Sequence, residues 1–299
     1  MYKRQINKYC YISIHPYFNE EQTLLKYSQN ELVNSVDEID HKIFKQVLGD
    51  MHVSGVEISS TADVPGGTGL GSSSTFTVGL LNTLYCYKGR FASKAKLAAE
   101  ACEVEIEKLK SPIGKQDQYA AAFGGLNFIR FNQDGTVSVA PIMMQAETYK
   151  KLQKNLMMFY TGTTRSANGI LSEQKKNIAQ EDKTKNLLKM CDLAYEMKDA
   201  LEHNDVSSFG DILNTGWELK RSLASGISNP EIDRVYEIAM KNGALGGKLL
   251  GAGGGGFLLF YCPEEKQDRL RNAIGLKEFE FTFEKDGSSV IYIGDKYWR

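Results

Sequence analysis

The chemistry of this chain is concentrated in a short stretch of glycine and hydroxyl residues. It contains Pro65, Gly66, Gly67, Thr68, Gly69, Leu70, Gly71, Ser72, Ser73 and Ser74. Glycine permits positive φ and lets a ligand approach the backbone closely. Apolar alternation over residues 53–59 predicts a strand before this stretch, and helical spacing of Phe76, Leu80 and Leu84 predicts a helix after it. Because helix N-termini bind anions, the pattern predicts a phosphate-binding loop, with a flexible turn as the alternative.

Two better-known glycine motifs fit less well. Gly66 and Gly71 have P-loop spacing, but Ser72 stands where the P-loop lysine belongs. Charge on a bound triphosphate would therefore be met by backbone amides, Mg²⁺ or residues from elsewhere. A second glycine run, residues 251–256, has Rossmann spacing. It precedes a strand-like run instead of following one, so an NAD-dependent oxidoreductase is disfavoured.

Composition places the chain among ordinary globular proteins. Its 299 residues are 42% hydrophobic and 24% charged, with a net charge of −1. This balance gives no electrostatic reason to expect nucleic-acid or membrane binding, and no apolar run is long enough to span a bilayer. The five scattered cysteines are predicted to be buried free thiols in a reducing compartment. We therefore expect a cytoplasmic protein.

Strands and helices are mixed along the chain without strict alternation, which predicts an α+β fold. The character changes near residue 150, where a run of helices begins. We expect two domains, residues 1–150 and 151–299.

Two acidic residues stand out as candidates for phosphoryl-transfer chemistry, which needs a cation ligand and a group to deprotonate the attacking hydroxyl. Glu105 falls on the apolar face of a helix predicted to be capped by Ser93, whereas Glu100, Glu103 and Glu107 are expected to face solvent. Asp117 lies early in a helix predicted to start at Ser111–Pro112. From its chemistry alone, two roles are equally supported: catalysis, or a structural role in which its negative charge stabilises the start of the helix.

Three segments in this order resemble the motifs of the GHMP small-molecule kinases. Residues 65–75 resemble the second motif of that family, residues 248–257 its third motif, and residues 114–118 the segment with its catalytic aspartate. The resemblance runs from about residue 6 to the C-terminus. It implies a ribosomal S5 domain 2-like N-terminal half and a ferredoxin-like C-terminal half.

The resemblance also implies roles for individual residues. Asp117 would be the catalytic base, Ser73 (with Ser72 as the alternative) and Glu105 would hold Mg²⁺, and residues 67–73 would bind the phosphates of ATP. Gly251, Gly253 and Gly254 would line the floor of the site. Arg165 and Lys220 are candidates for a substrate phosphate, because their charges suit it, or else surface ion-pair residues.

Within the superfamily, residues 6–9, 160–167, 217–220 and 227–233 resemble the sugar-1-kinase branch typified by D-glycero-D-manno-heptose 7-phosphate kinase. This implies phosphoryl transfer from ATP to a sugar or sugar phosphate, most specifically the anomeric hydroxyl of that heptose phosphate. The expected partner is this small molecule, without nucleic acid or membrane, and a homodimer is kept as an alternative to a monomer.

The family's first motif, an arginine-bearing strand and a glycine-rich turn, is not found before residue 6, since the first glycine is Gly49. The N-terminal half is therefore expected to be incomplete. Either the chain is a truncated kinase, or it is a non-catalytic nucleotide- or sugar-binding relative.

Overall fold

The computed structural model describes residues 2–163 and 167–294. Its strands are β1 (Tyr2–Ile6), β2 (Cys10–Pro16), β3 (Thr23–Lys26), β4 (Asn30–Val33), β5 (Val56–Ala62), β6 (Leu126–Phe131), β7 (Val137–Pro141), β8 (Leu156–Tyr160), β9 (Gly246–Leu249), β10 (Phe257–Tyr261), β11 (Lys277–Glu278) and β12 (Phe283–Glu284). Its helices are α1 (Lys42–Met51), α2 (Ser72–Tyr87), α3 (Lys94–Cys102), α4 (Gln116–Phe123), α5 (Ala146–Lys154), α6 (Ala167–Asn177), α7 (Glu181–Glu202), α8 (Phe209–Arg221), α9 (Pro230–Lys241) and α10 (Gln267–Ile274). The α+β prediction is confirmed.

The chain forms two compact units, each made of separate segments. The first unit contains Met1–Ile6, Gly66–Gly71 and Leu126–Phe283, and the second contains Asn7–Pro65, Ser72–Gly125 and Glu284–Arg299. The boundary predicted at residue 150 lies inside α5, within the first unit. The two compact units do not correspond to a single cut in the sequence, because the chain passes from one unit to the other more than once.

A mixed four-stranded sheet in the order β2-β5-β3-β4 forms part of the second unit. Strands β3 and β5 are parallel, and the other pairs are antiparallel. The sheet contributes fully buried side chains such as Leu25 and Ile58, while α1 and α2 contribute Phe44 and Leu80. Apolar residues at helical spacing on one face and at alternate strand positions account for this core.

Two sheets belong mainly to the first unit, in the orders β12-β1-β6-β7 and β11-β8-β10-β9. Trp217 on α8 packs with Phe159, Phe260 and Tyr236 in one core cluster, and Met197 on α7 lies in a second cluster. Helix α9 has a cap typical of its sequence, with Asn229 accepting hydrogen bonds from the amides of the first turn and Pro230 as the first helical residue.

Among the described helices, none combines the length and the apolar character that crossing a membrane would require.

Candidate functional site

The first glycine loop has the backbone expected of an anion-binding turn. Gly67, Gly69 and Gly71 have φ values of 77°, 84° and 76°, whereas Thr68 and Leu70 between them are not in the positive region. Alternation of this kind can turn successive N–H groups toward one concave side, which favours anions. Non-glycine residues would be strained at these alternate positions.

Helix α2 begins directly after this loop, at Ser72, and its first turn contains no acidic residue. The first N–H groups of a helix have no intrahelical partner, and the helix dipole makes this end positive. The start of α2 is therefore suited to bind an anion such as a phosphate.

The first loop rests on the second glycine loop, within the first unit. A Cβ built on Gly69 would lie 2.8 Å from the carbonyl oxygen of Leu250, and one on Gly251 would lie 2.5 Å from the Cα of Gly69. Thr68 is 1% exposed, and a Cβ on Gly256 would lie 2.2 Å from its carbonyl oxygen. The two backbones therefore meet at distances that side chains on these glycines would prevent.

The second glycine loop is a turn between two antiparallel strands, β9 and β10. The amide of Leu250 donates to the carbonyl of Phe257 and closes the turn. A dinucleotide fingerprint requires a strand before the glycines and a helix after them. The structure has a strand on both sides, which agrees with the rejection of the Rossmann interpretation.

Several polar groups of the first unit hold this second loop in place. The amide of Gly256 donates to Thr163 O and to Thr161 Oγ1, and the amide of Gly254 donates to Ile227 O. Lys220 Nζ donates to Gly251 O at 2.6 Å and to Leu249 O at 3.2 Å. The ammonium of Lys220, suggested by the sequence as a substrate-phosphate ligand, thus contacts the protein's own backbone.

The second unit contains a buried carboxylate, that of Glu105. Glu105 is 2% exposed. Its Oε1 accepts a hydrogen bond from Ser73 Oγ at 2.6 Å, and its Oε2 accepts one from Gln118 Nε2 at 2.7 Å. The two expected cation ligands, Ser73 and Glu105, are therefore in contact, although they are 32 residues apart in the sequence.

Glu105 reaches this position from an unusual helical segment. Residues Glu103–Lys108 continue α3 as a π-helix, and the amide of Leu109 donates to Val104 O across five residues. Such widened turns are frequent at functional sites. Glu103 and Glu107 are exposed, so Glu105 is the inward-facing acid of this segment, as the sequence predicted.

Asp117 is the second residue of α4, the helix that also carries Gln118. It is partly exposed. The helix begins later than predicted, because Lys110 adopts a left-handed φ of 54° and the amide of Ser111 donates to Glu105 O, which ends the π-helix there. Asp117 therefore lies in the first turn, and Gln118 next to it connects α4 to Glu105. Arg165, the remaining candidate, lies outside the described residues.

The donor set at Ser73 and Glu105 suits Mg²⁺. The ion prefers hard oxygen ligands and is usually bound through one or two carboxylates plus substrate phosphates. Within residues 2–163 and 167–294, no group of three or more His, Cys, Asp or Glu side chains is placed to hold a metal. A single carboxylate with a neighbouring hydroxyl therefore fits an ion bound jointly with a phosphate ligand better than an independent metal site.

The two buried cysteines, Cys102 and Cys262, are poorly suited to nucleophilic chemistry. Burial raises the pKa of the Cys102 thiol to about 12 and that of Cys262 to about 11. Thiols with raised pKa values are poor nucleophiles. Cys191 is exposed, and Cys10 and Cys86 are intermediate, so the prediction that the cysteines are buried holds for two of the five.

Known proteins are similar to this chain in sequence and in fold. Two family profiles match, "GHMP kinases N terminal domain" over residues 32–125 and "GHMP kinases C terminal" over residues 197–280. A D-glycero-alpha-D-manno-heptose 7-phosphate kinase from Campylobacter jejuni is 31% identical over 269 residues, which cover 88% of this chain and 79% of that protein. The chain belongs to the GHMP kinase family.

Other members of the family are similar over comparable lengths. A galactokinase from Pyrococcus furiosus is 27% identical over 88% of this chain and 80% of its own. The crystal structure of a D-glycero-D-manno-heptose 1-phosphate kinase from Bacteroides thetaiotaomicron superposes with a TM-score of 0.73 at 24% identity, covering 96% of this chain and 88% of that one. The GHMP kinase fold predicted from the sequence is confirmed.

Two features of the site were not predicted from the sequence. Gln118 carries no pattern that distinguishes it from a surface glutamine, apart from its place beside Asp117. Thr161 and Thr163 lie in the segment 160–167 that resembles the sugar-1-kinase branch, but no sequence pattern indicates their contacts with Gly256, which form only in the folded chain.

Proposed function

We propose that this GHMP kinase transfers the γ-phosphoryl group of ATP to a hydroxyl of a sugar or sugar phosphate. The most specific form of the proposal is transfer to the anomeric hydroxyl of D-glycero-D-manno-heptose 7-phosphate. It is supported by the 31% identity to the Campylobacter jejuni heptose 7-phosphate kinase over most of both chains.

One observation carries the proposal, namely the contact between Ser73 and the buried Glu105 immediately after the glycine loop. Phosphoryl transfer depends on positioning and on neutralising phosphate charge. Loop amides and the start of α2 would bind the phosphates, and no P-loop lysine is present to share this task. Ser73 and Glu105 would hold Mg²⁺, which when bound neutralises charge on the phosphates.

Asp117 is the residue we assign to the proton of the attacking hydroxyl. A carboxylate can accept the proton of a hydroxyl that is placed within hydrogen-bond reach of it. General base catalysis by a positioned side chain contributes about 10²–10⁴-fold to the rate.

The test is a coupled ADP-release assay over heptose 7-phosphate, galactose, fucose and mannose phosphates, with ³¹P NMR to identify the phosphorylated position. We expect turnover to be highest with the heptose phosphate and the product to be an anomeric phosphate. Higher activity on galactose or fucose would contradict the specific substrate, and no ATP-dependent transfer to any sugar would contradict the kinase proposal.

Asp117→Asn is the decisive variant in this assay. It should lower kcat by about 10²–10⁴-fold while ATP-analogue affinity is retained. Asp192→Asn, an exposed position on α7, is the matched control and should leave the rate unchanged. Full activity of Asp117→Asn would refute the assignment of the base.

A further inference from the structure

Gln118 has a property that few side chains of this protein share. It is fully buried, and its Oε1 has no hydrogen-bond partner among the described residues. The indole nitrogen of Trp217 is the other buried side-chain atom of the described chain in this situation. A buried polar atom without a partner costs free energy, so its presence calls for a physical reason.

The reason lies in the other end of the same amide. Gln118 Nε2 donates to Glu105 Oε2 at 2.7 Å. Because the NH₂ group donates to Glu105, the amide oxygen must face away from it. Turning the amide over would place oxygen against oxygen beside a carboxylate that is itself 2% exposed. The unpaired Oε1 is thus the consequence of keeping a donor on Glu105.

This donor distinguishes the two carboxylate oxygens of Glu105. Oε2 is occupied by Gln118, which belongs to α4, and Oε1 is bonded by Ser73, whose hydroxyl can rotate. Ser73 is exposed, whereas Gln118 is buried. A cation arriving from the solvent-accessible side would therefore meet Ser73 Oγ and Glu105 Oε1. Gln118 holds Glu105 Oε2 from the buried side.

We propose that Gln118 is a positioning residue that fixes Glu105 in the orientation needed to bind the divalent cation. The inference rests on the proposed function, because it takes Glu105 as the cation ligand. Hydrogen bonds from a second layer of side chains orient metal ligands, and their loss typically lowers metal affinity or activity about 10–100-fold.

The test measures Mn²⁺ affinity by electron paramagnetic resonance in the presence of a non-hydrolysable ATP analogue, so that no turnover is required. Gln118→Met removes the amide at similar size and should weaken Mn²⁺ binding about 10–100-fold. Affinity for the analogue without metal should be unchanged. Gln46→Met is the matched control, because Gln46 makes the same type of bond, to Asp50 at 2.9 Å, on the exposed surface of the same unit.

A double-mutant cycle separates positioning from general structural damage. If Gln118 acts through Glu105, Gln118→Met should have no further effect on Mn²⁺ affinity in a Glu105→Gln background. If Gln118→Met does not fold, Gln118→Asn carries the same test, because its amide is one methylene too short to reach Glu105.

Each outcome has a distinct meaning. Mn²⁺ affinity equal to wild type in folded Gln118→Met, or an undiminished effect in the Glu105→Gln background, would overturn the inference. Absence of Mn²⁺ binding by the wild-type protein with the analogue would instead refute the cation site of the proposed function. Normal Mn²⁺ behaviour without sugar phosphorylation would refute the kinase proposal and leave the role of Gln118 standing.

Discussion

The two glycine loops have similar compositions but different reasons for their glycines. In the second loop, Cβ atoms on Gly251, Gly253, Gly255 and Gly256 would each lie within 2.8 Å of other atoms of the protein. In the first loop, a Cβ on Gly66 would meet no heavy atom of the described residues within 4 Å. Packing therefore explains four of the five glycines of the second loop, but it does not explain Gly66.

This difference indicates a division of labour. The second loop is a support, anchored by Lys220, Thr161 and Thr163 and pressed against Thr68 and Gly69 of the first. The first loop has a supported side, at Gly69, and an open side, at Gly66, where no heavy atom of the described residues lies within 4 Å of an added Cβ. Close approach of a phosphate chain on the open side would require a small residue there.

Gly256→Ala is the strongest test of the supporting role. The residue has φ of 104°, and an added Cβ would lie 2.2 Å from Thr68 O. Backbone strain and overpacking together should lower the free energy of unfolding by about 3 kcal/mol or more, measured by urea denaturation. Gly135→Ala, at φ of 85° with no heavy atom of the described chain within 4 Å, isolates the strain and should cost about 1–2 kcal/mol. Equal losses in the two variants would contradict the packing explanation.

Gly69→Ala tests the contact between the loops. Its φ is 84° and its Cβ would lie 2.8 Å from Leu250 O, so we expect the unfolding free energy to fall by about 2 kcal/mol. Because the first loop must shift, affinity for the ATP analogue should also fall, as isothermal titration calorimetry would show. Loss of stability with unchanged nucleotide affinity would show that the phosphates bind elsewhere.

Lys220→Met tests whether this lysine supports the second loop or binds substrate. Loss of its bonds to Gly251 O and Leu249 O should lower stability by about 1 kcal/mol, with no change in KM for the sugar phosphate beyond about twofold. Lys189→Met, exposed on α7, is the control and should be neutral. A large rise in KM at unchanged stability would restore the substrate-phosphate assignment.

Gly66→Ala should have the smallest effect on stability and a selective effect on binding. We expect the unfolding free energy to change by less than about 0.5 kcal/mol, since no heavy atom of the described residues lies within 4 Å of the added methyl group. Affinity for the ATP analogue should fall about tenfold, equivalent to about 1.4 kcal/mol. Unchanged affinity would remove the reason for assigning the open side of the loop to phosphate.

Local patterns predicted much of this molecule correctly. Ser93 caps α3 as predicted, by accepting from the Lys96 amide. Gly124 and Gly125 follow the end of α4, and β6 and β7 form a hairpin around Asp134 and Gly135, which are typical turn residues. Glu105 was placed on the inner face because its spacing from Ala98 and Ala101 is helical. These features depend on neighbours within one or two turns, which the sequence displays directly.

Features that depend on distant contacts were missed. Strand β9 was not predicted, because Gly246 and Gly247 have poor strand propensity, and it forms through pairing with β10. The β-branched and aromatic residues at 290–293 favour a strand, but residues 289–293 do not form one, and the amide of Ser288 just before them donates to Ala121 O on α4. The contacts of Lys220 and Gln118 are likewise set by residues far away in the sequence, so no local pattern reveals them.

The central claim is that the first glycine loop, and not the second, binds the nucleotide. The most direct test is a crystal structure of the wild-type protein with Mn²⁺ and a non-hydrolysable ATP analogue, with the metal located by anomalous scattering. We predict that the triphosphate contacts the amides of residues 67–73 and that the metal peak adjoins Ser73 and Glu105. A triphosphate bound along residues 251–256, or a metal peak away from Glu105, would contradict the claim.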